Sequence, residues 1–351
     1  MKVLEYTVRF ITPAFLGDAE QNGRWRTPPF KALLRQWWRV AYAADKNFNV
    51  DVDGMRREEG LLFGNAWLED SFCKSQVRLR LSRWNEGQLK KAQWPADASV
   101  SHPEVANRDN KLVPIGSSLY LGYGPLTYDK ERSATGLKAN AAIQAHDEAI
   151  FSLAYPEATA TRIDRSLWLI DRYGTLGGRG RNGWGSFALL PSDELGAAEP
   201  PLRAWQECLD RDCDWPHAIG RDAKGALIWQ TQPFDDWKAL MKRLAEIKIG
   251  LRTQFCFEHG NNAPNPEPRH WLSYPVTNHS VSSWSNNARL PNTLRFKVRA
   301  NSDGKLVGVI FHMPHLPPSA FLPNRPAIEG VWNKAHRFLD QPAQRLTRIP
   351  A

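Results

Sequence analysis

GTLGGRGRNGWGSF, residues 174–187, is a glycine-rich run that carries two arginines and a tryptophan. Before it, Arg162 to Tyr173 carries helical spacing; after it, a strand runs through Leu190. Gly178-Arg179-Gly180-Arg181-Asn182-Gly183 is formally a GxGxxG. A dinucleotide fingerprint needs the order strand, glycine loop, helix, and here that order is reversed. A kinase-type glycine loop needs a hairpin and further signatures that this sequence lacks. What remains is a basic glycine-rich loop between a helix and a closing strand. Gly177, Gly178, Gly180, Gly183 and Gly185 free the backbone for close approach to another chain. Arg179 and Arg181 supply charge, and Trp184 supplies a flat face. The loop reads either as a contact to an RNA backbone or as a structural turn.

Working outward, Val3 to Ile11 alternates as a strand and ends at Thr12-Pro13. Thr27, Pro28 and Pro29 open a helix whose Phe30, Leu33, Leu34, Trp37, Val40 and Ala41 share one face. Gln76 to Arg83 reads as a strand with a basic outer face, and Ser118 to Tyr123 and Ile150 to Tyr155 as further strands. Residues 85–114 look like a long polar insertion, and 130–144 like a mobile loop. This is a split βαβ pattern with one extra strand, the ferredoxin-like arrangement that also underlies the RRM. Residues 191–202 (PSDELGAAEPPL) make a linker. Beyond it, Ala226 to Gln230 reads as a strand and Phe234 to Ile249 as a helix. Leu294 to Arg299 and Lys305 to His312 pair across Asn301-Ser302-Asp303-Gly304, and Ala327 to Leu339 closes as a helix. The expectation is an α+β chain of two ferredoxin-like (RRM-like) domains in tandem, residues 1–195 and 203–345, the second degenerate.

The chain has 351 residues, 42% of them apolar, which excludes a wholly disordered protein. Its net charge of +9 favours a polyanionic partner, nucleic acid before membrane. No apolar run approaches the length of a membrane span, and the N-terminus reads as a strand rather than a leader, so no membrane partner is expected. Four cysteines argue against a disulfide scaffold and leave the cytoplasm as the default. Cys208, Cys213 and His217, with Cys256 and His259, are the one set with metal-ligand chemistry. Their spacing is irregular and lacks a CxxC, so free thiols are the competing reading and no metal or cofactor is assigned.

A second segment, FLGDAEQNGRWRTPPFKALLRQWWR (15–39), places Arg24, Arg26, Lys31, Arg35 and Arg39 among Trp25, Trp37 and Trp38. Phosphates call for point charges and bases for flat faces, so Arg24, Arg26, Lys31, Arg35, Trp38 and Arg39 join Arg179, Arg181 and Trp184 as candidate RNA contacts. The competing reading is an amphipathic helix with a solvated basic face. The RNA reading requires the cations of the early helix and of the glycine loop to converge on one groove.

A glycine-rich loop after a helix and before a closing strand resembles the signature loop of the RAMP superfamily of CRISPR proteins. The run TPAFLGDAEQNGRWRTPPFKALLRQWWR (12–39) is similar to the opening of the family that forms the first subunit of type III-B (Cmr) effector complexes. Leu62 to Gly64, Tyr120 to Gly124 and Leu294 to Val298 fit the same order; Ala32 and Asp18 stand where that family tends to carry glycine. The resemblance implies a non-catalytic subunit at one end of a ribonucleoprotein with other CRISPR effector subunits as neighbours. It implies contact with guide RNA and target RNA near the 3′ end of the guide, and help in capturing target RNA.

Three other readings stay open. Asp18 lies in a loop that resembles the place where RNA-cutting backbone subunits of the superfamily carry a catalytic aspartate, and the resemblance makes it the candidate acid for cleavage. A guide-processing ribonuclease predicts cleavage of repeat RNA by the isolated chain, with a base and acid that are often histidine. The nine histidines are scattered, none lies in either Arg/Gly segment, and only His270 and His279 flank a common run. A structural subunit that meets only protein predicts no RNA affinity.

Overall fold

The computed structural model describes residues 1–67, 72–196, 198–210 and 214–349. Two four-stranded antiparallel sheets organise them. The first takes β1 (Lys2–Phe10), β2 (Arg78–Leu81), β3 (Glu148–Tyr155) and β4 (Phe187–Leu190) in the spatial order β4-β1-β3-β2. Helix α1 (Thr27–Asp45) lies between β1 and β2 in the chain and is followed by α2 (Val52–Phe63); α3 (Ala160–Tyr173) lies between β3 and β4. The second sheet takes β5 (Ile228–Thr231), β6 (Leu294–Ala300), β7 (Leu306–His312) and β8 (Leu346–Arg348) in the order β6-β7-β5-β8. Here α4 (Trp237–Thr253) lies between β5 and β6, and α5 (Arg325–Leu339) between β7 and β8. In both halves the fourth strand lies beside the first, the first beside the third, and the third beside the second. Each half therefore carries its strands in the same relative order, with helix after its first and third strands.

The alternation of β1 sends Tyr6, Val8 and Phe10 inward, where Phe10 meets Trp25 and Phe187. Phe30 of α1 stacks on Phe151 of β3 at 5.4 Å. The opposite face of this sheet exposes Val3, Glu5, Arg9, Arg78, Arg80 and Ile150. None of these is aromatic, so stacking of bases on the sheet in the manner of an RRM has no platform here. The interiors of the two halves are not separate. Phe311 of β7 packs on Trp37 and Tyr173, and Ile228, Val309 and Met313 join the core beneath the first sheet. Conversely Ile11, Leu89, Trp94 and Trp184 belong to the core of the second half.

Several elements differ from the expectation. Ser117–Gly122 is a short helix rather than a strand, because the Asp97 carboxylate accepts the Ser118 and Leu119 amides at 2.8 and 3.1 Å. Within 130–144, expected as a mobile loop, Ala134–Leu137 pairs with Leu126–Asp129 as a hairpin. The insertion 85–114 contributes Leu89, Trp94 and Val100 to the core. Thr27 does not cap α1: Arg26 holds the N-cap position in extended conformation, with no side-chain cap, and the prolines fill the first turn. Helix α4 starts at Trp237, where Asp236 accepts the Lys238 and Ala239 amides; Phe234 instead bridges Leu306. The linker 191–202 contains a short 3-10 turn and a strand, Leu202–Ala204; residue 197 lies outside the described residues.

Candidate nucleic-acid interface

The glycine loop is tied down on both sides. The amides of Gly178 and Gly185 donate to the carbonyls of Phe15 and Pro13, and Thr12 Oγ1 donates to the Gly183 carbonyl at 2.8 Å. Phe296 of β6 donates its amide to the Arg181 carbonyl, and Val298 donates to Ser186 Oγ. Two glycines are required by geometry. A Cβ on Gly185, at φ +64, would sit 1.8 Å from the Leu176 carbonyl oxygen; one on Gly177, at φ +88, would sit 2.6 Å from that of Phe15. Lys297, fully buried on β6, closes the loop at its base. Its ammonium donates to the carbonyls of Gly174 and Phe187 at 2.5 and 2.6 Å and lies over the Phe187 ring. Burial pushes its pKa down to about 7.

Beside this loop lies a cavity of about 730 Å³ between the two halves. The loop lines it with Arg179, Arg181 and Asn182, the end of α4 with Lys248 and Arg252, the segment before β6 with Arg289, and β6 itself with Arg295. Helix α1 contributes Leu33, Gln36 and Trp37. Six cations thus face one space, and among the described residues no aspartate, glutamate or histidine lines it. Their burial is graded: Arg179, Arg181 and Arg289 are exposed at the rim, Lys248 and Arg252 are half-buried, and Arg295 is 8% exposed. Lys248 donates to Asn182 Oδ1 at 2.5 Å, Arg252 to Ser273 Oγ at 3.2 Å, and Arg289 to the Ala288 carbonyl at 2.8 Å. These acceptors are neutral, and Glu104, which favours the charged form of Arg252, lies outside the lining. Among the described residues Arg295 Nε has no acceptor; burial, then the neighbouring Arg181, pulls its pKa down to about 9, leaving it charged at neutral pH. Burial, then Arg252 and Arg179, holds the Lys248 ammonium well below its ordinary value. A buried cationic space of this kind favours an anion that can replace lost hydration.

The candidates from sequence divide sharply. Arg179 and Arg181 line the cavity. The cations of α1 do not: Lys31, Arg35 and Arg39 are outside its lining, so the early helix and the glycine loop meet there only through Leu33, Gln36 and Trp37. Arg35 donates to Glu59 at 2.6 Å and Arg39 donates to both oxygens of the same carboxylate at 2.7 and 2.8 Å; Glu59 is 3% exposed. Arg24 pairs with Asp18 at 3.2 Å, and Arg26 donates to the Gly17 carbonyl at 2.8 Å. Neither tryptophan can receive a base. Trp38, 2% exposed, packs edge-on to Phe63, and Trp184, 0% exposed, is enclosed by Phe15, Trp94 and Trp237. Asp18 caps its own loop, accepting the amides of Glu20 and Asn22 at 3.0 Å, and these bonds with Arg24 keep its pKa below the ordinary carboxylate value despite desolvation.

The metal reading is not supported. Among the described residues no three His, Cys, Asp or Glu side chains gather as a metal site. His217 lies 2.8 Å from the Trp215 carbonyl and His259 pairs with Glu267, while Cys213 lies outside the described residues. His270 is buried under Phe257 and Trp284, and His279 stacks on Phe257 at 3.8 Å. No helix among the described residues is long and apolar enough to cross a membrane.

Sequence reasoning missed Lys248, Arg252, Arg289 and Arg295. Three of them left a signal. Lys248 and Arg252 are four apart and share a helix face. LRFKVRA (294–300) alternates apolar with basic residues, yet is buried on both faces as far as Val298. Basic residues at alternate positions in a strand mark a polar seam when a second layer covers them.

The family model for the RAMP superfamily matches residues 7–188, more than half of the chain, and takes in most of the first sheet with its glycine loop. The chain belongs to the RAMP superfamily. Among solved structures, this RAMP protein is similar to Cmr1 from Pyrococcus furiosus in its apo form, with 16% identity over 91% of this chain and 90% of that one, TM-score 0.45. It is also similar to a chain of the type III-B Cmr-beta complex bound to cognate target RNA, with 10% identity over 95% of this chain and 99% of that one, TM-score 0.44. No match was found among curated proteins.

Proposed function

We propose that this RAMP protein is a non-catalytic, RNA-binding subunit of a type III-B CRISPR ribonucleoprotein. In this reading it holds guide or target RNA near the 3′ end of the guide and helps capture target RNA beside other effector subunits, in the cytoplasm. The observation that carries it is the cavity in which Arg179, Arg181, Lys248, Arg252, Arg289 and Arg295 face no carboxylate. Such a surface suits a ribose-phosphate chain, whose binding is driven by cation contacts and counterion release. The matching connectivity of the two sheets supports reading residues 1–195 and 203–345 as tandem ferredoxin-like units with the RNA site at their junction. The test is a filter-binding salt titration with single-stranded RNA. Arg181→Ala should weaken binding and flatten its salt dependence, and labelled RNA should stay intact with or without Mg²⁺. Salt-independent or absent binding would refute the RNA reading, and specific cleavage lost in Asp18→Asn would refute the non-catalytic one.

A further inference from the structure

We infer that the cavity is a receptor for an RNA terminus bearing a phosphomonoester rather than a groove for a strand in passage; this rests on the RNA reading above and deepens it. The argument starts from the gradient of burial. A strand running past the cavity presents one charge per diester and touches what the rim exposes, Arg179, Arg181 and Arg289. It leaves Arg295 unanswered. That guanidinium is 8% exposed, lines the cavity, and makes no hydrogen bond or ion pair among the described residues. Lys248 and Arg252 sit between it and the rim in exposure, with neutral partners only. A monoester carries nearly two charges at neutral pH and three acceptor oxygens on one phosphorus, so it can answer several recessed cations at once. It also needs only a way in. A continuing strand needs a way in and a way out, and where α1 meets the cavity Leu33 and Trp37 offer it apolar wall rather than cations. The volume, about 730 Å³, falls within the range of a site for one compact ligand.

The experiment uses the full chain and one short single-stranded RNA in four forms: 5′-phosphate, 3′-phosphate, hydroxyl at both ends, and circular. Binding is read by fluorescence anisotropy in competition. The expected result is that one phosphorylated form binds about tenfold more tightly than the hydroxyl form, while the circle matches the hydroxyl form; which end is preferred assigns the terminus. Arg295→Met should abolish that preference, and Arg295→Lys should keep part of it. Arg179→Ala should weaken all four forms alike. Should Arg295→Met fail to fold, the four forms on the parent protein still decide. Equal affinity for all four, with Arg181→Ala still weakening each, overturns the end-binding inference and leaves the RNA reading standing. No affinity for any form overturns both.

Discussion

Two segments look alike in the sequence, residues 24–39 and 174–187: each mixes arginine with tryptophan, and each reads as an RNA contact. In the structure they have opposite fates. Arg35 and Arg39 of the first converge on the buried carboxylate of Glu59, and their charge is consumed in fastening α1 to α2. Arg179 and Arg181 of the second meet four further cations and no counter-charge. Counting basic residues therefore does not measure what a polyanion can reach; the location of the acids does. The tryptophans make the complementary point, since Trp38 and Trp184 are both core residues.

The comparison can be broken most directly at Trp184. If it is core, Trp184→Ala should destabilise the fold by about 3–5 kcal/mol in a denaturant titration, as cavity-forming aromatic truncations do. A normal midpoint with weakened RNA binding would return the residue to the stacking role. Next comes the charge of the glycine-loop side. Arg181→Ala with Arg252→Ala should lower single-stranded RNA affinity by about a hundredfold near physiological salt and reduce the log–log salt slope by about 1.4. Arg35→Ala with Arg39→Ala should leave both within experimental scatter. The sharpest separation uses Glu59→Ala, which should cost roughly 2 kcal/mol of stability while leaving RNA affinity within about twofold. Equal loss of affinity in the α1 and cavity variants would erase the distinction.

The smallest effect concerns Lys297. Its folded pKa, about 7, lies below that of an unfolded lysine, near 10.4. Between these values the unfolded chain binds the extra proton, so unfolding becomes harder as pH rises. The difference in unfolding free energy, parent minus Lys297→Met, should therefore increase by about 1 kcal/mol per pH unit from pH 7 to 9. A flat difference would mean that Lys297 keeps its proton throughout.

Much of the architecture was legible because it follows local rules. The alternation of Lys2–Phe10, the apolar stripe of α1, and the Asn301-Ser302-Asp303-Gly304 turn between β6 and β7 appear where the pattern puts them. The short helix at Ser117–Gly122 was not legible, because its cap, Asp97, is twenty residues away and reaches it only after folding. The candidate site was half legible for the same reason. Arg179 and Arg181 sit in a motif, whereas Lys248, Arg252, Arg289 and Arg295 come from three separate stretches brought together by the contact between the halves. Glu59 hid in plain sight: its partners are twenty and twenty-four residues upstream, and no short-range spacing rule joins them.

The shared interior has a consequence for how such a receptacle can behave. Phe311 wedges against Trp37 and Tyr173, and Ile228 and Val309 seal the layer under the first sheet, so two side chains in the wall of the cavity, Trp37 and Tyr173, also hold the halves together. Parting the halves abolishes the receptacle, and filling the receptacle resists the parting. By mass action, a saturating polyanion raises the melting temperature of the whole chain rather than of one lobe.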